Sequence, residues 1–428
     1  MKNNKGITLV ALVVTIVVLL ILAGVSINLV LGDNGIITKA KEAETKSAEA
    51  SENDLKGMNS LIEQMESTLN GSGSGGKTEP ETEPYLPSDD FHYDTSTSVD
   101  TGLVIADTAG NEYVWVVVPK SLYNNTAYNS NNAKKPSSST DYANIEYCLQ
   151  QYTATYRNET DFSDVYVYYA DTDNVGWFED ETAYNNLKNS MLKSVYEKGG
   201  FYVGRYEAGI AENRTSKSAT NTDGKYTIEG MPTPLSKADA YPYTWVTRTQ
   251  AQNLANNVNS GTKTSSLMFG VQWDLVLAFM QNKGNIEDST LTQDSTTIGN
   301  YMDSTFQLSQ TGKYATMRDG SLSSTWNPST TSTANYVDSS RNKLTQSSDG
   351  NGILVTTGTS EKNKVMNIYD VAGNVFEWTL EYTSNVNEPC AFRGGGFIGT
   401  GSRYPAADRS TLSSDLSIFC IGFRVSLF

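Results

Sequence analysis

The chain has 428 residues, room for one large domain or two ordinary ones. Its formal net charge of −16 excludes a nucleic-acid binder, which needs a basic face toward phosphate. A single histidine, His92, excludes a metal site built on several imidazoles, and three cysteines (Cys148, Cys390, Cys420) leave at least one unpaired and do not make a disulfide scaffold. Tyr is abundant at 25 residues, a type that serves recognition surfaces and β-rich packing equally well.

The amino terminus opens on a short leader, residues 1–6, carrying Lys2 and Lys5. Residues 7–31 follow without a charge, long enough at ~1.5 Å per residue to cross a ~30 Å hydrocarbon core as a transmembrane helix. The leading lysines place the leader in the cytoplasm and the rest of the chain outside. Residues 32–70 alternate Lys and Glu with few apolar positions, the pattern of a solvated stalk helix. The junction Lys5-Gly6-Ile7-Thr8-Leu9-Val10 resembles the prepilin motif of type IV pilins. That resemblance implies a prepilin peptidase as partner, cutting between Gly6 and Ile7. The family's fifth mature residue is usually Glu, and here it is Ala11, which argues against assembly into a filament.

Residues 71–98 read as a linker: a Gly/Ser hinge at 71–76, then an acidic, Pro-containing spacer. The head, residues 99–428, reads as an α+β, loop-rich domain. Residues 103–118 form a hairpin around a turn at Gly110-Asn111, and residues 201–207 another strand. Residues 249–258 read as a short helix with Thr249 as its cap, and 271–280 as a more apolar one. Ser/Thr/Asn-rich stretches at 124–141, 213–223 and 320–349 read as surface insertions.

Five segments in order carry a second resemblance. They are Gly199–Glu207, Tyr243–Val246 with the helix after it, Met268–Asp274, Tyr369-Asp370-Val371-Ala372-Gly373-Asn374-Val375-Phe376-Glu377-Trp378-Thr379, and Arg393-Gly394-Gly395-Gly396-Phe397 with Gly422-Phe423-Arg424-Val425. Together they resemble the formylglycine-generating enzyme, or sulfatase-modifying factor, family, whose fold is C-type-lectin-like. Gly373-Asn374 suits a turn with positive φ. Trp378 reads as a core anchor, and Arg393 and Arg424 as donors to buried carbonyls or carboxylates.

The resemblance also shows what is missing. Family enzymes carry a cysteine pair after the Arg-Gly-Gly strand and bind copper there. Residues 397–409 contain no cysteine, and Cys420 stands on another element. The three-histidine iron site of the related sulfoxide synthases needs more than His92. The expectation is therefore no enzymatic activity. The family's calcium site implies Asn374, Val375 and Glu377 as ligands of Ca²⁺. The same fold serves as the variable protein of diversity-generating retroelements, with its ligand surface between the last two motifs. On that likeness Phe397, Ile398, Arg403, Tyr404, Ile418 and Phe419 are the expected ligand-binding residues. The sum is a membrane-anchored, cell-surface binding or adhesion protein for an extracellular protein or glycan, with two alternatives open: a divergent formylglycine-type oxidoreductase and a structural minor pilin.

Overall fold

The computed structural model describes residues 80–157, 161–167, 178–215, 227–304, 308–309, 311–318, 321–328 and 352–428. The leader, the cleavage site at Gly6 and Ile7, the apolar segment, the stalk and the Gly/Ser hinge lie outside the described residues. No helix among the described residues is long and apolar enough to cross a membrane.

Helices α1 (Tyr142–Tyr152), α2 (Glu181–Lys198), α3 (Arg248–Ala255), α4 (Gly270–Asn282) and α5 (Asp288–Thr292) flank two main sheets. The first sheet has six strands in the order Phe91–Tyr93, Val104–Asp107, Glu112–Val117, Gly200–Gly204, Val425–Leu427 and Ser265–Leu267, every neighbour antiparallel. The chain's last strand thus lies inside the sheet begun by its first ones. The predicted hairpin is present: Asp107 holds its turn by accepting from the backbone N–H and side-chain amide of Asn111 at 2.8 and 2.9 Å. Gly110 supplies a φ of 83° there.

The compact unit runs from Glu79 to Phe428, so the Pro/Glu-rich residues 80–98 belong to the head. Tyr85 sets its ring edge against Trp115 and Tyr202, with centroids 5.6 and 5.5 Å apart. Apolar rings at Tyr85 and Phe91 outweigh the acidic composition that suggested a linker.

Helix α3 is capped two residues before the expected Thr249. Its cap is Thr247, whose hydroxyl accepts from Gln250 N–H while the Gln250 side chain accepts from Thr247 N–H at 3.1 Å. This is a reciprocal capping box. Helix α4 is buried on every side from Gly270 to Met280, as its nearly unbroken apolar run requires.

The second sheet is built on the strand Phe376–Thr383. Cys390–Arg393 pairs with it antiparallel, Arg409–Leu412 pairs antiparallel with that strand in turn, and Ile421–Phe423 runs parallel on the other side. Phe162–Ser163 pairs with the far end of the central strand.

Candidate functional site

The scaffold of the site is a buried ionic cluster that joins α4 to the second sheet. Asp274, on α4, takes hydrogen bonds from Arg393 Nη2 at 2.8 Å, from Arg157 Nη1 at 2.8 Å, and from Arg409 Nη2 at 2.7 and 2.9 Å. Glu381 takes Arg393 Nη1 at 3.2 Å and Arg409 Nε at 3.0 Å. Burial pushes the Asp274 carboxyl up, but the guanidiniums of Arg409, Arg393 and Arg157 outweigh it and hold the group below the usual carboxylate range. Asp164 caps the start of α4, accepting from Gly270 and Val271 N–H at 2.7 and 2.8 Å. Burial, reinforced by nearby Glu381, raises its pKa to about 6.

In front of this cluster one sheet face forms the floor of a cavity of about 530 Å³. Directly paired residues share a face, as do residues two apart along a strand. Phe376 pairs with Ile421, Phe392 with Ser410, and Leu412 with Cys390. Ile421, Phe376, Phe392, Ser410 and Leu412 therefore present one surface, and all five line the cavity. Ile398 and Tyr404 wall it from the loop after the glycine run, and Ile418 and Cys420 from the segment before the closing strands. The Tyr404 ring stands edge-on to Phe376 at 5.4 Å, and Phe376 edge-on to Phe392 at 5.0 Å.

The glycine run explains the loop's path. Gly394 and Gly395 have φ of 87° and 73°, and a Cβ on Gly395 would lie 2.2 Å from the Tyr404 carbonyl oxygen. Only glycine permits that approach.

The lining is mostly apolar. Arg409 also lines it, but its guanidinium is spent on Asp274, Glu381 and the Tyr156 carbonyl. Ser410 and Thr411 give the wall a polar edge.

Of the residues expected to bind ligand, Ile398, Tyr404 and Ile418 line the cavity. Arg403 is exposed, its guanidinium 5.1 Å above the Tyr404 ring. Phe419 is half-buried between Phe397 and Trp245, at 6.1 and 6.2 Å. Phe397 is 0% exposed. It belongs to the core because the left-handed glycines before it turn the chain inward, so its role is to support Phe419 rather than to touch a ligand. Trp245 holds a φ of 62°, rare for a bulky residue, and donates its N–H to the Ile418 carbonyl at 3.1 Å.

The expected calcium ligands are otherwise engaged. Glu377 is held by Arg424 through Nε–Oε2 at 3.1 Å and Nη2–Oε1 at 2.7 Å. Asn374 Oδ1 accepts from Asn300 Nδ2 and Val355 N–H, while Asn374 Nδ2 donates to Glu207 and the Val355 carbonyl. Val375 is buried beside them. An arginine seated on the carboxylate and an amide committed at both ends do not fit a Ca²⁺ cage.

The cysteines do not fit a copper dithiolate either. Cys390 pairs with Tyr382 at one end of the central strand, and Cys420 adjoins Ile421, which pairs with Phe376 at the other. Phe376 and Tyr382 stand at opposite ends of a bulged strand, so the two cysteines lie more than about 10 Å apart, against the close approach a sulfur pair needs. All three cysteines are buried thiols, and burial raises Cys420 to about 12.

Residues 235–427 match the family described as the Sulfatase-modifying factor enzyme 1-like domain. That stretch contains every residue of the cavity. Among solved structures, Treponema denticola variable protein 1 is similar at 13% identity, over 53% of this chain and 84% of that chain, with a TM-score of 0.27. No curated protein matches the chain.

Sequence reasoning missed Asp164, Asp274, Glu381 and Arg409, which fix the back wall. Asp274 sits one residue after the matched Trp273, and Arg409 ends the cysteine-free 397–409 stretch. A lone Asp inside an apolar helix pattern was the available signal, since such a group is buried only when paired.

Proposed function

We propose that this chain is a membrane-anchored, surface-displayed binding protein that seats its ligand in the cavity between Ile398, Tyr404 and Ile418 and performs no formylglycine chemistry. The observation that carries this reading is the cavity itself: an apolar, open site on a rigid sheet face, braced from behind by a fully paired ionic cluster. Its single thiol, Cys420, is 2% exposed and is protonated at neutral pH, because burial raises it. Thiolate chemistry needs the opposite environment. Display outside the cell rests on the apolar run at 7–31 and the prepilin-like junction at Gly6 and Ile7. An adhesin or receptor-binding role for an extracellular protein or glycan fits a cavity far in sequence from the apolar run.

The test is an aldehyde assay. Full chain, purified in mild detergent, is incubated with a sulfatase-type Cys peptide, with and without copper. No aldehyde above the no-protein control is expected, and its formation would establish the divergent oxidoreductase instead.

A further inference from the structure

One wall of the cavity is also the free edge of a sheet. Arg409–Leu412 pairs with Cys390–Arg393 on one side, and no strand pairs with it on the other among the described residues. Alternate residues of an edge strand turn their N–H and C=O outward. No backbone hydrogen bond reaches that outer side among the described residues. Edge strands are commonly guarded by Pro or by outward Lys. This one reads Arg-Ser-Thr-Leu, and its only cation, Arg409, is turned inward onto Asp274 and Glu381. All four residues line the cavity, so an unpaired edge and an apolar pocket lie side by side.

Two carboxylates bracket this edge. Asp408 precedes it and accepts from Ser410 Oγ at 2.8 Å. Glu388 stands beyond the Leu412 end and accepts from Thr411 Oγ1 at 3.0 Å. No Lys or Arg makes an ion pair with Glu388 among the described residues. The whole chain is acidic at −16.

We infer that the occupant is an extended polypeptide segment of a partner protein, which adds as a strand to Arg409–Leu412 and drops one apolar side chain into the cavity. Main-chain bonds to the edge supply register, and the pocket reads alternate side chains. Glu388 favours a segment that carries Lys or Arg beside its apolar residue. A glycan has no peptide backbone with which to continue the ladder in register. The inference rests on the cavity being the ligand site, and adds what it holds.

The experiment uses the full chain in mild detergent and a fluorescently labelled, end-blocked peptide Lys-Thr-Val-Phe-Val-Thr-Lys, followed by anisotropy. Saturable binding below about 1 mM is expected. Methylating the backbone nitrogens of alternate residues should weaken it about tenfold, the loss for two hydrogen bonds. Replacing the central Phe by Ala should cost a similar factor. Exchanging both terminal Lys for Glu should weaken binding about fivefold, and the protein variant Glu388→Gln should shrink that preference while leaving thermal unfolding unchanged. The control is 4-methylphenol, which probes the pocket without a main chain. Equal binding of the methylated peptide overturns strand addition. So does phenol binding with no peptide binding, which leaves the cavity reading standing. If neither binds, the inference and the cavity reading fall together.

Discussion

Arg424 grips Glu377 through two parallel hydrogen bonds, 3.1 and 2.7 Å long, in a site where both residues are 1% exposed. The pair ties the Gly-Phe-Arg segment to the Gly-Asn-Val-Phe-Glu-Trp strand. Arg424 also donates to the Gly204 and Tyr369 carbonyls at 3.0 and 2.8 Å, so one guanidinium fastens both sheets.

Removing one partner strands the other. Arg424→Ala should cost about 3–5 kcal/mol in urea unfolding, because Glu377 is left buried and uncompensated. The double change Arg424→Met with Glu377→Leu should recover most of that loss. A double variant as unstable as the single one would mean that the carbonyl contacts, not the ion pair, hold the sheets together.

Glu207 should make stability fall as pH rises. It is fully buried, its Oε2 has no hydrogen-bond partner, and Asp370 and Glu377 lie nearby. Burial first, then those like charges, raise its pKa well above the ordinary value, against the smaller opposing pull of Arg424. A carboxyl raised on folding binds its proton more tightly in the folded state. Its contribution is fully present below the unfolded pKa of ~4.5 and is lost as pH climbs toward the folded value. Glu207→Gln should therefore gain stability relative to the parent at pH 8 compared with pH 5. The same difference at both pH values in chemical denaturation would contradict this.

Binding and folding should separate along the 397–419 segment. Tyr404→Ala and Ile418→Ala should weaken ligand binding, each by up to ~2 kcal/mol, with little change in thermal unfolding. Phe397→Ala should do the reverse and cost about 3–5 kcal/mol of stability, since its ring is buried. Thermal scans of the three variants check this; equal losses in all three would make Tyr404 and Ile418 core residues.

The amino terminus should begin at Ile7. Intact-mass measurement of membrane-extracted chain should show loss of residues 1–6, and an intact Met1 would contradict prepilin-type processing.

What was legible follows from locality. Gly373-Asn374 announced a turn, and the two residues hold φ of 75° and 56°. Trp378 was readable as core, and the arginines of the last two motifs as buried donors, because those motifs are short and contiguous. Helices α1 and α2 were not foreseen, since α1 reads YANIEYCLQQY and α2 mixes Lys, Asn and Tyr, without a clean apolar stripe. Tertiary contacts settle them: Tyr184 of α2 is buried against Phe269 at 5.5 Å. The ionic cluster was out of reach because its members come from positions 157 to 409, and only the fold brings them together. The segment between the last two motifs supplies part of the cavity's lining, but Phe376 and Phe392 come from elsewhere, and which side chains face it depends on strand pairing that the sequence does not display.

The most direct test of the binding site is an NMR titration of full chain carrying isoleucine δ1-methyl labels with 4-methylphenol. Signals of Ile398, Ile418 and Ile421, which line the cavity, should shift in a saturable way, while Ile145, buried in α1, stays fixed. Unchanged Ile398, Ile418 and Ile421 signals up to about 10 mM ligand, weaker than any specific pocket of this kind, would contradict a ligand site at the carboxyl end.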